Sequence, residues 1–274
     1  MNSLALTLFS GRAGDRNDRA MPGARMMAEA LSAATGLAPR QIASPRPPLA
    51  AGWEIELAAA RLDLLDLQSA LAEIFAAGDR PLTAMGRCAA GLGTLPAVAA
   101  AHPEAAIVWF DAHGDCNAPE FTTSGYLGGM ILTGAAGRWD SGLGAGLDLA
   151  NVVLVGARDL DPCERELIES GVIRLVPAGP GLAHRLRDAL AGRKAYIHLD
   201  CDVLDPGLIP TEYAVEGGLS FDELRETCAE IATNGVIGAE VAEFEAVWSD
   251  GRAGDAASLA AALSPLWKGR YQSV

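Results

Sequence analysis

The chain has 274 residues, half of them hydrophobic, and a formal net charge of −14 at pH 7. This length allows one large buried core, while the negative charge argues against nucleic acid as the main partner, because phosphate binding needs clustered Lys and Arg. The sequence contains no apolar run long enough for a membrane span and no N-terminal signal-peptide pattern. Five cysteines without a close CxxC pair indicate reduced thiols, so we expect a cytoplasmic protein.

Predicted strands and helices alternate along the chain. Strands are expected at residues 4–9, 81–85, 105–110, 151–156, 172–177, 196–202 and 236–241. Helices are expected at residues 21–35, 53–77, 92–101, 127–136, 162–170, 181–191, 221–233 and 256–266, with extended or loop segments at 37–52 and 205–219. This order predicts parallel strands joined by right-handed crossovers in an α/β domain.

Two predicted strands run into side chains that are common metal ligands. The first leads to Asp111, His113 and Asp115, and the second to Asp200 and Asp202. Because strand side chains alternate between faces, we expect the first three to share one side of the sheet's carboxyl end, where ligands bind in parallel α/β sheets. Carboxylates with one imidazole suit Mn²⁺ or Mg²⁺ more than a structural zinc.

A single Asp-x-Asp pair at a strand end is often only a helix cap or a turn. His198, on the second strand, is interpreted as a core or neighbouring residue rather than a ligand. Two acidic clusters on equivalent strand ends, one of them with a histidine, nevertheless favour a metal centre. Two cations at such a centre can lower the pKa of a shared water.

The residues from about 81 to 246 resemble the arginase–agmatinase (ureohydrolase) superfamily. The resemblance rests on Asp111-Ala112-His113-Gly114-Asp115, on the polar residues that follow it (Asn117, Thr122, Ser124 and Gly125), and on Asp200-Cys201-Asp202-Val203-Leu204-Asp205-Pro206. It implies a single-domain, three-layer α/β/α fold over residues 1–274 with a mostly parallel sheet. It also implies two Mn²⁺ per subunit, a metal-bridging hydroxide that attacks a guanidinium carbon, and a trimer or hexamer.

The resemblance also assigns roles by position. Asp111 and Asp200 would be shared between the two metals, His113 and Asp202 would complete one site, and Asp115 would serve the other site and accept the water's proton. The substrate positions are Asn117 and Ser124 for an α-carboxylate, with Thr122 beside them, Asp161 near the α-amino group, and Glu243 for the guanidinium. A buried cation needs such a carboxylate because an unpaired buried charge is costly.

The chain departs from the family pattern at three places. Where the family has Gly-Gly-Asp-His-Ser, this chain reads Met85-Gly86-Arg87-Cys88-Ala89, so Cys88 replaces a histidine ligand. A thiolate prefers Zn²⁺ or Fe²⁺ to Mn²⁺; alternatively, Cys88 is only a small buried residue and this metal site is weak or empty. Gly128 takes the place of a proton-shuttle histidine, and residues 211–216 replace a loop that touches the guanidinium end of the substrate.

Three functions are compatible with this pattern. The first is a metal-dependent hydrolase of a linear amidine, releasing urea or hydroxyurea. In having a cysteine at position 88, the chain is similar to arginase relatives that hydrolyse Nω-hydroxy-L-arginine. Asn117, Ser124 and Asp161 favour an amino-acid substrate over agmatine. The second is a catalytically impaired arginase-fold protein that binds a metabolite or regulates a partner. The third is a formimino or ureido hydrolase, consistent with the altered loop at 211–216.

Overall fold

The computed structural model describes residues 3–268, which contain eight strands and nine α-helices. The strands are β1 (Leu4–Phe9), β2 (Arg40–Ile42), β3 (Arg80–Ala84), β4 (Ala106–Phe110), β5 (Val152–Val155), β6 (Arg174–Val176), β7 (Ala195–Asp200) and β8 (Val236–Ala242). The helices are α1 (Ala20–Thr35), α2 (Trp53–Ala76), α3 (Gly91–Ala101), α4 (Ile131–Ala135), α5 (Pro162–Glu169), α6 (Leu182–Leu190), α7 (Phe221–Ala232), α8 (Ala256–Leu263) and α9 (Pro265–Lys268).

The strands form one parallel sheet in the order β2-β1-β3-β8-β7-β4-β5-β6. One hydrophobic core packs α1, α6, α7 and α8 against one face, and a second core packs α2, α3 and α4 against the other. The sequence of β4 is apolar throughout because both of its faces are buried: Val108 and Phe110 enter the first core, and Ile107 and Trp109 enter the second. The predicted three-layer α/β/α fold with a parallel sheet is confirmed.

Three details differ from the sequence prediction. The segment 37–52 contains a short edge strand, β2, that pairs with β1. Strand β7 ends at Asp200 rather than at residue 202, because the Asp200 Oδ1 accepts the backbone N–H of Asp202 (2.8 Å) and starts a 3₁₀ turn. The predicted helix at 256–266 is divided into α8 and α9 at Ser264.

The order of the four central strands positions the candidate site. Strands β3, β8, β7 and β4 are neighbours in that sequence, so the segments that follow their carboxyl ends meet above the middle of the sheet. Gly23 on α1 lets the segment after β8 approach closely, because a Cβ at this position would lie 1.7 Å from the Phe244 carbonyl oxygen. None of the helices between residues 3 and 268 combines the length and hydrophobicity needed to cross a membrane.

The buried face of α2 gives a test of the packing. Leu64 is 0% exposed, whereas Leu62 on the same helix is 75% exposed. We expect Leu64→Ala to lower the free energy of unfolding by about 2–5 kcal/mol, because it leaves a cavity in the core. Leu62→Ala is the matched control and should change it by less than about 0.5 kcal/mol. Urea denaturation of both variants measures the difference, and equal losses would contradict the assigned face.

Candidate metal centre and substrate pocket

The candidate ligands come from the four central strands. Cys88 follows β3, Glu243 follows β8, Asp200 ends β7, and Asp111 follows β4 directly. Their ligand atoms form three overlapping groups, and within each group the atoms lie within 4.8 Å of one another. The groups are Asp111 with His113 and Asp202, Cys88 with Asp111 and Asp115, and Cys88 with Asp200 and Glu243. The ligands predicted from sequence are thus brought together, and Glu243 joins them.

Strand alternation is not what brings Asp111, His113 and Asp115 together, so that part of the prediction is wrong. Strand β4 ends at Phe110, and the following segment turns. The Asp111 carboxylate accepts hydrogen bonds from the His113 N–H (2.7 Å) and the Trp109 indole N–H (3.0 Å). Asp115 has a φ of +49°, in the left-handed region that Asp and Asn tolerate better than most residues. A side-chain-stabilised turn therefore positions the three ligands.

The first ligand group is held together by ion pairs. The His113 Nδ1 lies 3.0 Å from the Asp202 Oδ2 and 3.3 Å from the Asp111 Oδ1. Burial alone would lower the pKa of His113, but the carboxylates of Asp111 and Asp202 raise it above its usual value. Burial, together with the charge of Asp111, raises the pKa of Asp202 to about 6. A divalent cation bound here would take the place of the proton on His113.

The second ligand group contains a buried carboxylate oxygen that lacks a partner. The Asp115 Oδ2 makes no hydrogen bond within the described part of the chain. Burial and the nearby charge of Asp111 raise the pKa of Asp115 well above its usual value. Buried polar atoms in proteins are normally paired, and a cation would supply the missing partner. The donor set, of carboxylates with one imidazole and one thiol, therefore fits one or two divalent cations.

Cys88 is buried between a carboxyl group and a histidine. Its thiol donates to the Asp200 Oδ2 (3.0 Å), and its Sγ lies 3.1 Å from the His198 Nε2. Burial and the charge of Asp200 raise the pKa of this thiol well above its usual value. The thiol must therefore lose its proton to bind a cation, which opposes the attraction of the surrounding carboxylates for the metal.

His198 lies next to the candidate ligands and is held by a series of buried hydrogen bonds. Its Nδ1 lies 2.6 Å from a Glu240 carboxylate oxygen, and the Tyr196 hydroxyl donates to the other oxygen (2.6 Å). The imidazole stacks on the Trp109 indole, with ring centroids 3.5 Å apart. These hydrogen bonds were not predicted from the sequence. Glu240, an acidic residue within the apolar strand β8, was nevertheless a signal that a buried partner exists.

Arg87 is a buried cation next to the candidate ligands. Its guanidinium is 1% exposed and reaches carboxylate oxygens of four residues, Glu243 (2.6 Å), Glu212 (2.7 Å), Asp15 (3.4 Å) and Glu245 (3.6 Å). A buried arginine requires such partners, because an unpaired charge in the interior is costly. In the sequence, Arg87 is visible only as a departure from the family's Gly-Gly-Asp-His-Ser motif. Its charge inside an apolar segment nevertheless implied acidic partners.

Both carboxylate oxygens of Glu243 already have partners. One accepts from Arg87, and the other accepts from the Cys88 backbone N–H (2.9 Å). The altered loop at 211–216 is fastened to the same cluster, since Glu212 pairs with Arg87. The guanidinium of Arg158 holds the end of this loop by donating to the carbonyl oxygens of Val215 (2.7 Å) and residue 216 (3.1 Å). The loop and the Glu243 carboxylate are thus coupled through Arg87.

A cavity of about 190 Å³ opens above the ligands. Its lining includes every substrate residue predicted from sequence, namely Asn117, Thr122, Ser124, Asp161 and Glu243. The Asn117 side-chain amide donates to the Asp161 carboxylate (2.6 Å), and the Thr122 and Ser124 hydroxyl oxygens are 3.5 Å apart on the exposed rim. The lining also includes the polar side chains of Tyr126, Asp159 and Glu164, which were not predicted, and that of Tyr213 from the loop at 211–216.

Glu164 supports the wall of this cavity. Its carboxylate accepts backbone N–H groups of Cys116 (3.0 Å) and Asp161 (2.9 Å), and burial raises its pKa to about 7. It also packs against Gly114, where an added Cβ would lie 2.7 Å from the carboxyl group. The capping-box pattern at the start of α5 was a sequence signal for this residue.

Comparison with known proteins agrees with this architecture. The parallel sheet with acidic side chains at its carboxyl edge is an α/β architecture with a candidate metal site. The model of the arginase family, a family of metal-dependent hydrolases, matches residues 9–264. Nω-hydroxy-L-arginine amidinohydrolase from Streptomyces lavendulae is 39% identical over 254 residues, which cover 93% of each chain. The chain therefore belongs to the arginase family.

Solved structures show the same fold. Arginase from Bacillus cereus superposes with a TM-score of 0.85 at 24% identity, over 98% of this chain and 99% of that one. Proclavaminate amidinohydrolase from Streptomyces clavuligerus has a TM-score of 0.69 at 22% identity, over 97% of this chain and 90% of that one. At these identities the likeness concerns the fold alone.

Metal affinity should depend on pH. In the metal-free protein Asp202, His113 and Asp115 have raised pKa values, so protons must leave when a cation binds. We expect the affinity for Mn²⁺ to rise by about 100-fold between about pH 6 and pH 8, because one released proton gives about tenfold per pH unit. Calorimetric titration in buffers of different ionisation enthalpy counts the protons. A pH-independent affinity would contradict the competition.

Substitution of Cys88 tests its position among the ligands. We expect Cys88→Ala to lower the metal content per chain and Cys88→His to raise it, because a neutral imidazole binds Mn²⁺ better than a thiol does. Cys228→Ala is the matched control, since that cysteine is also fully buried but only burial shifts its pKa. Elemental analysis of the purified variants gives the stoichiometry. Unchanged metal content in both Cys88 variants would remove this residue from the ligand set.

Proposed function

We propose that the protein is a metal-dependent amidinohydrolase that cleaves a guanidino C–N bond of an amino-acid substrate, with Nω-hydroxy-L-arginine as first candidate and L-arginine as second. The observation that carries the proposal is the set of overlapping ligand groups at the floor of a cavity that also contains Asn117 and Asp161. The 39% identity to an amidinohydrolase over nearly the whole chain supports the substrate class.

The proposed cofactor is Mn²⁺ at up to two sites. Asp111, His113 and Asp202 would hold one cation, and Asp111, Asp115 and Cys88 would hold the other. Asp200, whose carboxylate lies beside Cys88, is proposed as a ligand shared between the two. Divalent cations at such a centre lower the pKa of a water molecule, so that hydroxide can attack a carbon near neutral pH. We also propose a single domain, a cytoplasmic location and a homo-oligomer.

The proposed catalytic residue is Asp115. One oxygen of its carboxylate would bind the cation, and the other would take a proton from the attacking water and give it to the leaving nitrogen. Asn117, Ser124 and Thr122 would bind the α-carboxylate of the substrate, and Asp161 would lie near its α-amino group. A zwitterionic amino-acid head is thereby favoured over agmatine, which has no carboxylate.

Glu243 would act at the other end of the substrate. Because Arg87 already pairs with this carboxylate, a second guanidinium would gain less from Glu243 than from a free carboxylate. An N-hydroxyguanidine is less basic than a guanidine and depends less on that charge. The Arg87–Glu243 pair thus supports the hydroxylated substrate over arginine.

A second candidate is a protein that binds such a metabolite without turnover. The protonated thiol at Cys88 and the occupied Glu243 carboxylate favour it, since both weaken positions that catalysis uses. A formimino or ureido hydrolase remains the third candidate because of the loop at 211–216. One assay distinguishes the three: the Mn²⁺-loaded protein is incubated with hydroxyarginine, arginine, agmatine, and formimino and ureido compounds, and the products are identified by mass spectrometry.

Hydroxyurea or urea as product supports the proposal, and the formation of ornithine confirms the bond that breaks. Formamide or carbamate-derived products indicate the third candidate. Binding of hydroxyarginine without any product, at full metal content, indicates the second. No product and no binding with any guanidino compound would refute the proposed function.

Asp115→Asn tests the catalytic assignment. Asn keeps the shape and the left-handed backbone preference of Asp115, but it cannot take the proton, so kcat should fall by at least about 10²-fold. Thermal unfolding of the metal-free variant should show no loss of stability, because a buried, unpaired carboxylate has been removed. Asp66→Asn is the control, on the exposed face of α2. A variant within a few-fold of the unsubstituted enzyme would contradict the role.

A further inference from the structure

Tyr126 lines the cavity and has a buried hydroxyl group without a hydrogen-bond partner among the described residues. The residue lines the cavity together with Cys88 and Glu243, while its hydroxyl oxygen is buried and makes no hydrogen bond to any residue in the range 3–268. An unsatisfied buried hydroxyl costs about 1–3 kcal/mol. Such a group at the wall of a substrate pocket is poised to bond a ligand.

The ring of Tyr126 is held in one position by its surroundings. A Cβ at Gly128 would lie 2.4 Å from the Cε1 of Tyr126 and 2.9 Å from its Cζ, so the ring fills the volume that any side chain at position 128 would need. The Arg16 guanidinium covers the ring, with its carbon 4.6 Å from the centroid, and the Tyr213 ring lies at 6.1 Å. The Tyr126 ring therefore leaves room only for a glycine at position 128.

Tyr126 lines the cavity together with the candidate ligand residues Cys88 and Glu243, which places it at the metal end of the cavity. Glu243, Arg87 and Cys88 are also the neighbours whose charges act most on its phenol. Burial and Glu243 raise its pKa, so the phenol keeps its proton at neutral pH. It can therefore both donate and accept a hydrogen bond at the reacting end of the substrate.

We propose that Tyr126 is a specificity-determining residue whose hydroxyl donates a hydrogen bond to the N-hydroxyl oxygen of a hydroxyguanidine substrate. This inference rests on the proposed function and names the group that selects the substrate. A guanidinium presents only N–H donors, which cannot accept the phenol proton, whereas an N-hydroxyl oxygen can. Arginine therefore leaves the Tyr126 proton unpaired, and a site that bonds a substrate hydroxyl rejects the analogue without it.

The test compares two substrates in the Mn²⁺-loaded enzyme. Tyr126→Phe should lower kcat/KM for Nω-hydroxy-L-arginine by about 10–100-fold, while kcat/KM for L-arginine changes by less than about 3-fold. Gly128→Ala should produce the same loss of selectivity, because the added methyl group displaces the ring. Gly52→Ala is the control for an added methyl group, since its Cβ meets no atom within 4 Å and Gly52 does not line the cavity; its selectivity should match that of the unsubstituted enzyme.

Each outcome supports or overturns the role of the Tyr126 hydroxyl in substrate selection. Equal losses with both substrates in Tyr126→Phe indicate a role in folding or packing and overturn it, as does an unchanged ratio of the two kcat/KM values. If the unsubstituted protein hydrolyses neither compound, the proposed function fails, and the inference is then decided by calorimetric binding. Tyr126→Phe must weaken the binding of Nω-hydroxy-L-arginine alone, and equal dissociation constants for this ligand in the two proteins refute the role of the hydroxyl.

Discussion

The structure depends on the burial of several like charges at one edge of a parallel sheet. Asp111, Asp115, Asp200, Asp202 and Glu243 are each at most 6% exposed. Water cannot screen their repulsion there, so the fold must balance the charge from within or from bound cations. His113 and Arg87 provide part of this balance, and the remaining negative charge suits the binding of divalent cations.

The site combines two kinds of electrostatic partner. On the side of β4, the carboxylates face a histidine that a cation can replace as the positive group. On the side of β3, they face Arg87, a guanidinium that stays charged and cannot be displaced. The two halves of the centre therefore differ in chemistry. On the β4 side a cation can replace the proton on the histidine, whereas on the β3 side the charge of Arg87 always balances the carboxylates. Cys88 lies at the boundary between them.

The sequence was sufficient for the features that depend on neighbouring residues. Alternating apolar strands and amphipathic helices predicted the parallel sheet, and the acidic side chains at the ends of β4 and β7 predicted the ligands. The partners of Arg87 and the space occupied by Tyr126 depend on contacts between residues far apart in the chain, for which the local pattern contains no signal. The turn before Asp115 was missed because strand alternation was assumed to continue past Phe110, where the Asp111 carboxylate instead accepts the His113 N–H.

The carboxylates around Arg87 restrict which residue can replace it. Arg87 and Glu212 lie on different segments of the chain, and Asp15, Glu243 and Glu245 also reach the same guanidinium. An acidic residue at position 87, as in the family pattern, would bring another negative charge against these four carboxylates. Such a substitution therefore requires compensating replacements at positions that are distant in the sequence.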